Sequence, residues 1–344
     1  MIDQTIRHHI FLQRYSSAEI KKLSPALKRI AAKTKRIMRE NAAALDATES
    51  MRLQSLLADI DATINAEMQT IGDKIGAIIR PLAENELEFY QSALTQQSTV
   101  LPVGLPANAA QIVASNTAMQ LVSGSVVKAE TIDSVINTLK SSSTNAIRRA
   151  ILEDGLLAGA LPSEIISNVT AIAGQKTRTN AEAVVRTVVN AVSSEAQQQV
   201  AQANASLLEG MKWLSTLDGR TSPVCRARDG KIYPVGSPVT PPAHYRCRSV
   251  MVMVLKKEYR VQGIEKTRSA SGVKSGYVSD KTTYQSWLRQ QPAPVQRDIL
   301  GPTRYKLFKK GGIELDKFVD SSGIEYTIDQ LRATNALAFM KAGV

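Results

Sequence analysis

The chain has 344 residues but only two cysteines, Cys225 and Cys247, and three histidines, His8, His9 and His244. Two cysteines exclude a disulfide-dense scaffold and leave a single bridge, a metal site or simple packing. So few histidines count against hydrolytic or multi-histidine metal catalysis, which draws on imidazole near neutral pH. Aromatic residues are scarce at 5%, although 43% of the chain is hydrophobic, a balance that suits helices packed with Ala, Leu, Ile and Val. The longest unbroken apolar run is Val250 to Leu255, against about 20 residues for a membrane-spanning helix. The opening MIDQTIRHHI carries no apolar stretch of the signal-peptide kind, which argues against secretion by that route. No internal repeat is visible, and GAIIRPLAENE and GLLAGALPSE lack the Gly-Lys-Ser/Thr ending of a phosphate-binding loop.

What the chain does have is positive charge, and it is unevenly placed. Of the formal +12, residues 201–310 carry 20 Lys/Arg against 7 Asp/Glu, while the remainder carries 23 against 24. The same segment holds 9 of the 16 aromatics and 8 of the 13 prolines, so composition changes near residue 205 and predicts a boundary there. Such a surface attracts a phosphate backbone or an acidic protein, or serves solubility alone.

Helical periodicity dominates before that boundary. Ser16 and Glu19 have capping-box spacing and precede Leu23, Leu27, Ile30, Ile37 and Met38, predicting a helix from Ser16 that Pro25 kinks or restarts. A longer stripe runs Leu53, Leu57, Ile60, Ile64, Met68, Ile71, Ile75, Ile78, Leu82, with Pro81 bending its far end. That stripe fits an intramolecular bundle or an intermolecular coiled coil. After a loop at 96–106, the spacing predicts helices over 107–122, 130–157, 163–173 and 178–208, and no strand of comparable length before residue 210.

Residues 212–255 are different: turn residues crowd them, and they end in SVMVMVL, which reads as a buried strand. A poorly structured stretch from Asp218 to His244 needs an internal fastening, because its backbone entropy is not repaid by regular pairing. Cys225, His244 and Cys247 offer two thiolates and an imidazole, a set suited to tetrahedral zinc, with Asp218, Asp229 or water as the fourth ligand. Packed thiols and a Cys225–Cys247 disulfide are the alternatives. Asp218 and Thr221, beside Gly219, also suit a turn in which side-chain oxygens satisfy backbone N–H groups. A metal-assisted nuclease with His244 as base, helped by Asp218 or Asp229, is a further reading without supporting spacing.

In order and spacing these residues resemble the phage Mu F-like minor head proteins, or head morphogenesis proteins, of tailed bacteriophages. The resemblance rests on Arg186-Thr187, Trp213, Asp218 with Thr221, Cys225, Asp229-Gly230, and Pro241-Pro242-Ala243-His244-Tyr245-Arg246-Cys247-Arg248, and covers about residues 140 to 255. Members often carry two further cysteines, where this chain has Arg228 and Ser249, and an acidic residue where it has Val188. What the resemblance implies is a minor capsid protein inside the virion head near the portal, in multiple copies, acting in head assembly and genome packaging or delivery. Its implied partners are the portal protein, other head proteins and packaged DNA, with no membrane. An internal protein ejected with the genome, or a DNA-binding or metal-dependent DNA-processing protein, are the competing readings.

Residues 280–331, with Trp287-Leu288, Leu300-Gly301-Pro302-Thr303-Arg304 and Leu307-Phe308 in this order, resemble an extension found in a subset of those proteins, and helices are expected at Tyr284 to Gln290, Val295 to Leu300 and Pro302 to Lys309. Arg304, Lys306, Lys309 and Lys310, with Tyr305 and Phe308, either track a nucleic-acid backbone or form a solvated helix with Leu307 and Phe308 in its core. The expected fold is mainly α with a small α+β domain. It comprises a long-helix region (1–95), a helical block (107–208), a loop-and-strand motif region (209–262), a polar mobile linker (263–279) and a helical basic extension (280–344).

Overall fold

The computed structural model describes residues 2–45, 50–261 and 267–344, with the backbone alone at Ser50. Residues 46–49 of the expected long-helix region and 263–266 of the expected linker lie outside the described residues. The fold is mainly α with small antiparallel sheets. The chain forms two compact units, one built from Met1–Leu12, Leu82–Glu130 and Asn190–Val344, the other from Gln13–Pro81 and Thr131–Val189.

Helix α1 spans Ile2–Glu40 and α2 spans Ser50–Thr95. The start expected at Ser16 is therefore too late. Thr5 and Ser16 are both buried, so small polar residues continue the inner face set by Ile2 and Leu12 and hide its periodicity. Pro25 and Pro81 lie inside their helices instead of ending them. Each removes one backbone donor, and buried neighbours hold the helix, Leu23, Ala26 and Leu27 on both sides of Pro25 and Leu82 and Ala83 just after Pro81.

In the Gln13–Pro81/Thr131–Val189 unit the α2 stripe is buried by helices of the same chain: Ile60, Ile64, Met68, Ile71 and Ile75 are all inaccessible or nearly so. Helix α4 (Ile132–Ile151) starts at a reciprocal Thr131–Ser134 capping box and passes so close to α2 that a Cβ on Gly72 would stand 3.1 Å from Ile136. Arg148 of α4 grips Asp61 with two nitrogens, and Glu67 receives Arg29 and Lys33 from α1. Helix α5 (Pro162–Ala171) begins with proline in its first turn, and α6 (Thr177–Ala203) follows a π turn at Ile172–Lys176.

In the other unit a short helix, α3 (Ala109–Asn116), precedes a hairpin of β1 (Ala118–Ser123) and β2 (Val126–Thr131). The helices expected over 107–122 and 130–157 cover most of β1 and the end of β2. Met119 and Leu121 alternate inward, and Gly124 turns the chain at φ +60°, but two inward residues are too short a period-2 signal to outweigh the surrounding helical spacing. Helix α6 also ends at Ala203, five residues before the expected end at Leu208, and gives way to β3 (Leu208–Leu214).

Strand β3 is central in a three-stranded antiparallel sheet, flanked by β4 (Ile232–Tyr233) and β5 (Val250–Leu255). Strand β5 is the expected buried strand, and its outer edge is covered by α6: Asn190 donates to the carbonyls of Cys247 and Ser249, and Gln197 to that of Met251. Between β3 and β5 one short helix, α7 (Pro223–Arg228), interrupts the loop.

Residues 267–279 are a hairpin, β6 (Thr267–Ser269) paired with β7 (Tyr277–Ser279), and Arg268 at its heart is 1% exposed. The expected mobile linker is thus anchored over its described part. Arg268 Nη1 and Nη2 both donate to Asp229, whose carboxylate also accepts from the backbone N–H groups of Ser215 and Tyr284. One buried acid thereby ties β3, the end of α7, the hairpin and α8 (Tyr284–Gln290) together. Gly230 completes the turn at φ +83°, where a Cβ would press 2.9 Å from the Thr283 side chain.

The expected C-terminal helices are present. Helix α9 (Ala293–Lys306) is interrupted at Gly301, which sits at φ +73°, and a π turn carries the chain to Gly312. With α10 (Ile328–Thr334) and α11 (Ala336–Ala342) they enclose a core of Trp287, Leu300, Leu307, Phe308, Phe318 and Phe339 that also receives Leu217.

Breaking a buried, hydrogen-bonded charge pair by removing one partner costs about 3–5 kcal/mol, because the other charge stays buried. Asp229→Ala should lower unfolding free energy by that amount in a denaturant titration; a loss comparable to that at a surface ion pair would remove the fastening role.

Candidate metal centre

Three of the sequence-predicted residues converge. The Cys225 Sγ and His244 Nε2 atoms lie 3.4 Å apart, the two sulfurs 3.7 Å apart, and all three donor atoms within 4.8 Å of one another. Cys225 is placed by α7 and the other two by a tight turn, in which the Cys247 N–H donates to the His244 carbonyl at 3.1 Å. Arg246 takes the left-handed conformation there, φ +60°, which brings positions three apart onto one side of the turn. The His244 Nδ1 lies 2.8 Å from the Tyr245 carbonyl, so a proton on Nδ1 leaves Nε2 free to act as a donor atom toward the sulfurs.

Both cysteines are buried free thiols, so the disulfide alternative does not hold. Burial, then the neighbouring Cys247, push the Cys225 thiol up. Burial would raise Cys247 too, but hydrogen bonds from Cys225 and His244 outweigh it and favour the thiolate. Burial alone would lower His244, and its hydrogen bond and attraction to Cys247 raise it instead. His9 is a second buried imidazole sensed by Cys247; desolvation lowers it to about 4, so it is neutral at physiological pH.

The donor chemistry and spacing fit a soft divalent metal. With bonds of about 2.3 Å to sulfur and about 2.0–2.1 Å to nitrogen, tetrahedral ligand atoms stand about 3.5–3.8 Å apart, close to the 3.7 Å between the two sulfurs and the 3.4 Å from Cys225 to His244.

The expected carboxylate ligands do not join the set. Asp218 is gripped by Arg248 through both oxygens, at 2.6 and 2.8 Å, and its Oδ1 also accepts from the Arg220 N–H in the expected turn. Thr221 donates mainly to the Thr216 carbonyl, at 2.5 Å, and only distantly to Asp218. Burial pushes the Asp218 carboxyl up, but Arg248, helped by Arg220, outweighs it and holds the group below the usual carboxylate range. Asp229 is consumed by Arg268 and two backbone N–H groups.

The remaining motif residues build the frame. Trp213 is fully buried in β3, donates to Ser215 Oγ and lies under the Arg228 guanidinium. Thr187, also buried, donates to the Ala183 carbonyl, and Arg186 reaches Gln13 and Ser17 of α1. Sequence reasoning missed Ser215, whose hydroxyl meets Trp213, the Cys225 carbonyl and Ser249, and missed Asn190 and Arg268. A serine beside a buried tryptophan gives no periodic signal, and Arg268 was hidden in a polar stretch.

The basic extension divides. Arg304 is committed to the Tyr326 carbonyl and Glu325, and Phe308 is buried beneath Arg289. Lys306, Lys309 and Lys310 are exposed.

Residues 145–252 match the family model described as Phage Mu protein F like protein. The span runs from the end of α4 to β5 and contains the whole Cys-His-Cys centre. It supports the identification of the chain as a phage Mu F-like head morphogenesis protein. No curated protein and no solved structure matches the chain.

A carboxyl held down in the fold contributes stability that is complete above its unfolded pKa, about 3.9, and fades as pH falls through the folded value. Asp218→Asn should therefore cost most at neutral pH, and its gap from the unaltered protein should narrow below about pH 4 in urea titrations. A gap independent of pH would show that the Arg248 pair carries no charge-dependent stability.

Proposed function

We propose that the chain is a minor head protein of a tailed bacteriophage, resident inside the virion head near the portal, that acts in head assembly and in packaging or delivery of the genome. The observation that carries this reading is the Mu F-like match over 145–252, which contains β3, α7 and the fastened loop up to the first residues of β5. Its partners are then the portal protein and other head proteins, in several copies around the vertex. The excess of 20 Lys/Arg over 7 Asp/Glu in residues 201–310 suits a position against packaged DNA or an acidic ring, with Lys306, Lys309 and Lys310 exposed for long-range attraction. No described helix is long and apolar enough to cross a membrane, which accords with a site that has no lipid.

Zinc, in this reading, is the structural fastening of the loop, held by Cys225, His244 and Cys247. A bound metal supplies folding free energy to a stretch with little regular pairing. A non-enzymatic role is part of the proposal, supported by His244 facing two sulfurs while both nearby carboxylates are held by arginines. Cobalt uptake by the metal-free chain tests the metal directly.

Deleting the coding sequence from the phage genome should yield heads that are aberrant or fail to fill with DNA by electron microscopy, with infectivity restored by the chain supplied in trans. Normal filled heads and normal infectivity without the chain would end the proposal.

A further inference from the structure

The Cys225–His244–Cys247 set has three donors, and a tetrahedral metal takes four. Among the described residues no other His, Cys, Asp or Glu donor lies in this group. Asp218 and Asp229 are each held by an arginine guanidinium and by backbone N–H groups, so neither is available without breaking a charge pair. The fourth position must be filled from elsewhere.

Beside the centre lies a cavity of about 20 Å³, with Ser222, Cys225, His244, Arg246 and Arg248 in its wall. A cavity needs about 10–15 Å³ of this kind of volume to hold one water, so it admits a single small molecule and not a second side chain. Its wall contains a polar atom short of a partner: Ser222 Oγ is buried and makes no hydrogen bond of good geometry. The residue is the N-cap of α7, where a serine hydroxyl ordinarily accepts a backbone N–H two or three positions on. Thr283 and Thr327 do so at the starts of α8 and α10, but Ser222 makes no such bond. An unsatisfied buried hydroxyl is costly, and a small ligand in the cavity would satisfy it.

We propose that this centre leaves its fourth position open at the cavity, to be filled by one small exogenous donor that Ser222 positions by hydrogen bonding: water at rest, replaceable by a small anion. Arg220, Arg246 and Arg248 line the same cavity and outnumber the single Asp218 carboxylate beside it, which favours an anionic replacement. The inference rests on the metal reading above.

Cobalt(II) titrated into the metal-free full-length chain separates the two. Thiolate-to-cobalt charge-transfer absorption should develop to one equivalent, and azide should then shift the visible cobalt bands saturably. Ser222→Cys should place a third thiolate at the open position, raising the charge-transfer intensity about 1.5-fold and abolishing the azide response. If no charge-transfer absorption develops, the metal reading itself fails and the open position with it. If the absorption develops but azide leaves the bands unmoved, a group of the chain closes the site; the open position is overturned while the metal stands. A response to His9→Ala in that case would assign the fourth position to that imidazole. An azide response that Ser222→Cys leaves intact, with unchanged intensity, would remove Ser222 from the role given to it.

Discussion

The loop between β3 and β5 has almost no ladder of its own, and the Asp229 carboxylate is what holds its ends in place. Four donors converge on it, two from Arg268 and one each from the Ser215 and Tyr284 backbones. Burying a charge is tolerable only when its lone pairs are satisfied, and here they are, by groups from three separate stretches of chain. The hairpin, the start of α8 and the turn at Gly230 are thus positioned around one acid. The Cys225, His244 and Cys247 donors gather within the frame so formed, and Asp218 and Arg248 brace the same loop from the other side of α7.

Covering the edge of β5 is the second task of the fold. A buried strand edge would leave unpaired carbonyls, and α6 meets them with the side-chain amides of Asn190 and Gln197. This explains why the inner face of an otherwise Ala- and Val-rich helix carries polar residues that are nevertheless buried. The matched span of 145–252 includes both Asn190 and Gln197 and the carbonyls they serve.

Much of this was legible beforehand where physics leaves a periodic trace. The α2 stripe, the β5 strand and the Tyr284–Gln290 helix follow from spacing alone, and the Cys-His-Cys set follows from residue chemistry. What escaped was whatever depends on a single non-periodic contact. Arg268 looked like part of a solvated linker because nothing local to it shows that Asp229, 39 residues earlier, waits for a cation. Asp218 looked like a fourth ligand because a carboxylate near thiols is a plausible donor, and only the fold reveals that Arg248 has claimed both oxygens. The β1–β2 hairpin was lost for the same reason in reverse: its inward signal is two residues long and its helical neighbours are far longer.

A phage Mu F-like domain, a fastened loop and a concentration of positive charge in one segment are the observations on which the proposal of a resident head component rests. That account stands or falls on where the protein is found. Quantitative mass spectrometry of purified, DNA-filled particles, normalised to the major capsid protein, should find the chain at a fixed low ratio that persists in particles emptied of their genome. Absence from both would contradict it, and presence only in filled particles would replace a resident head component with one that leaves alongside the DNA.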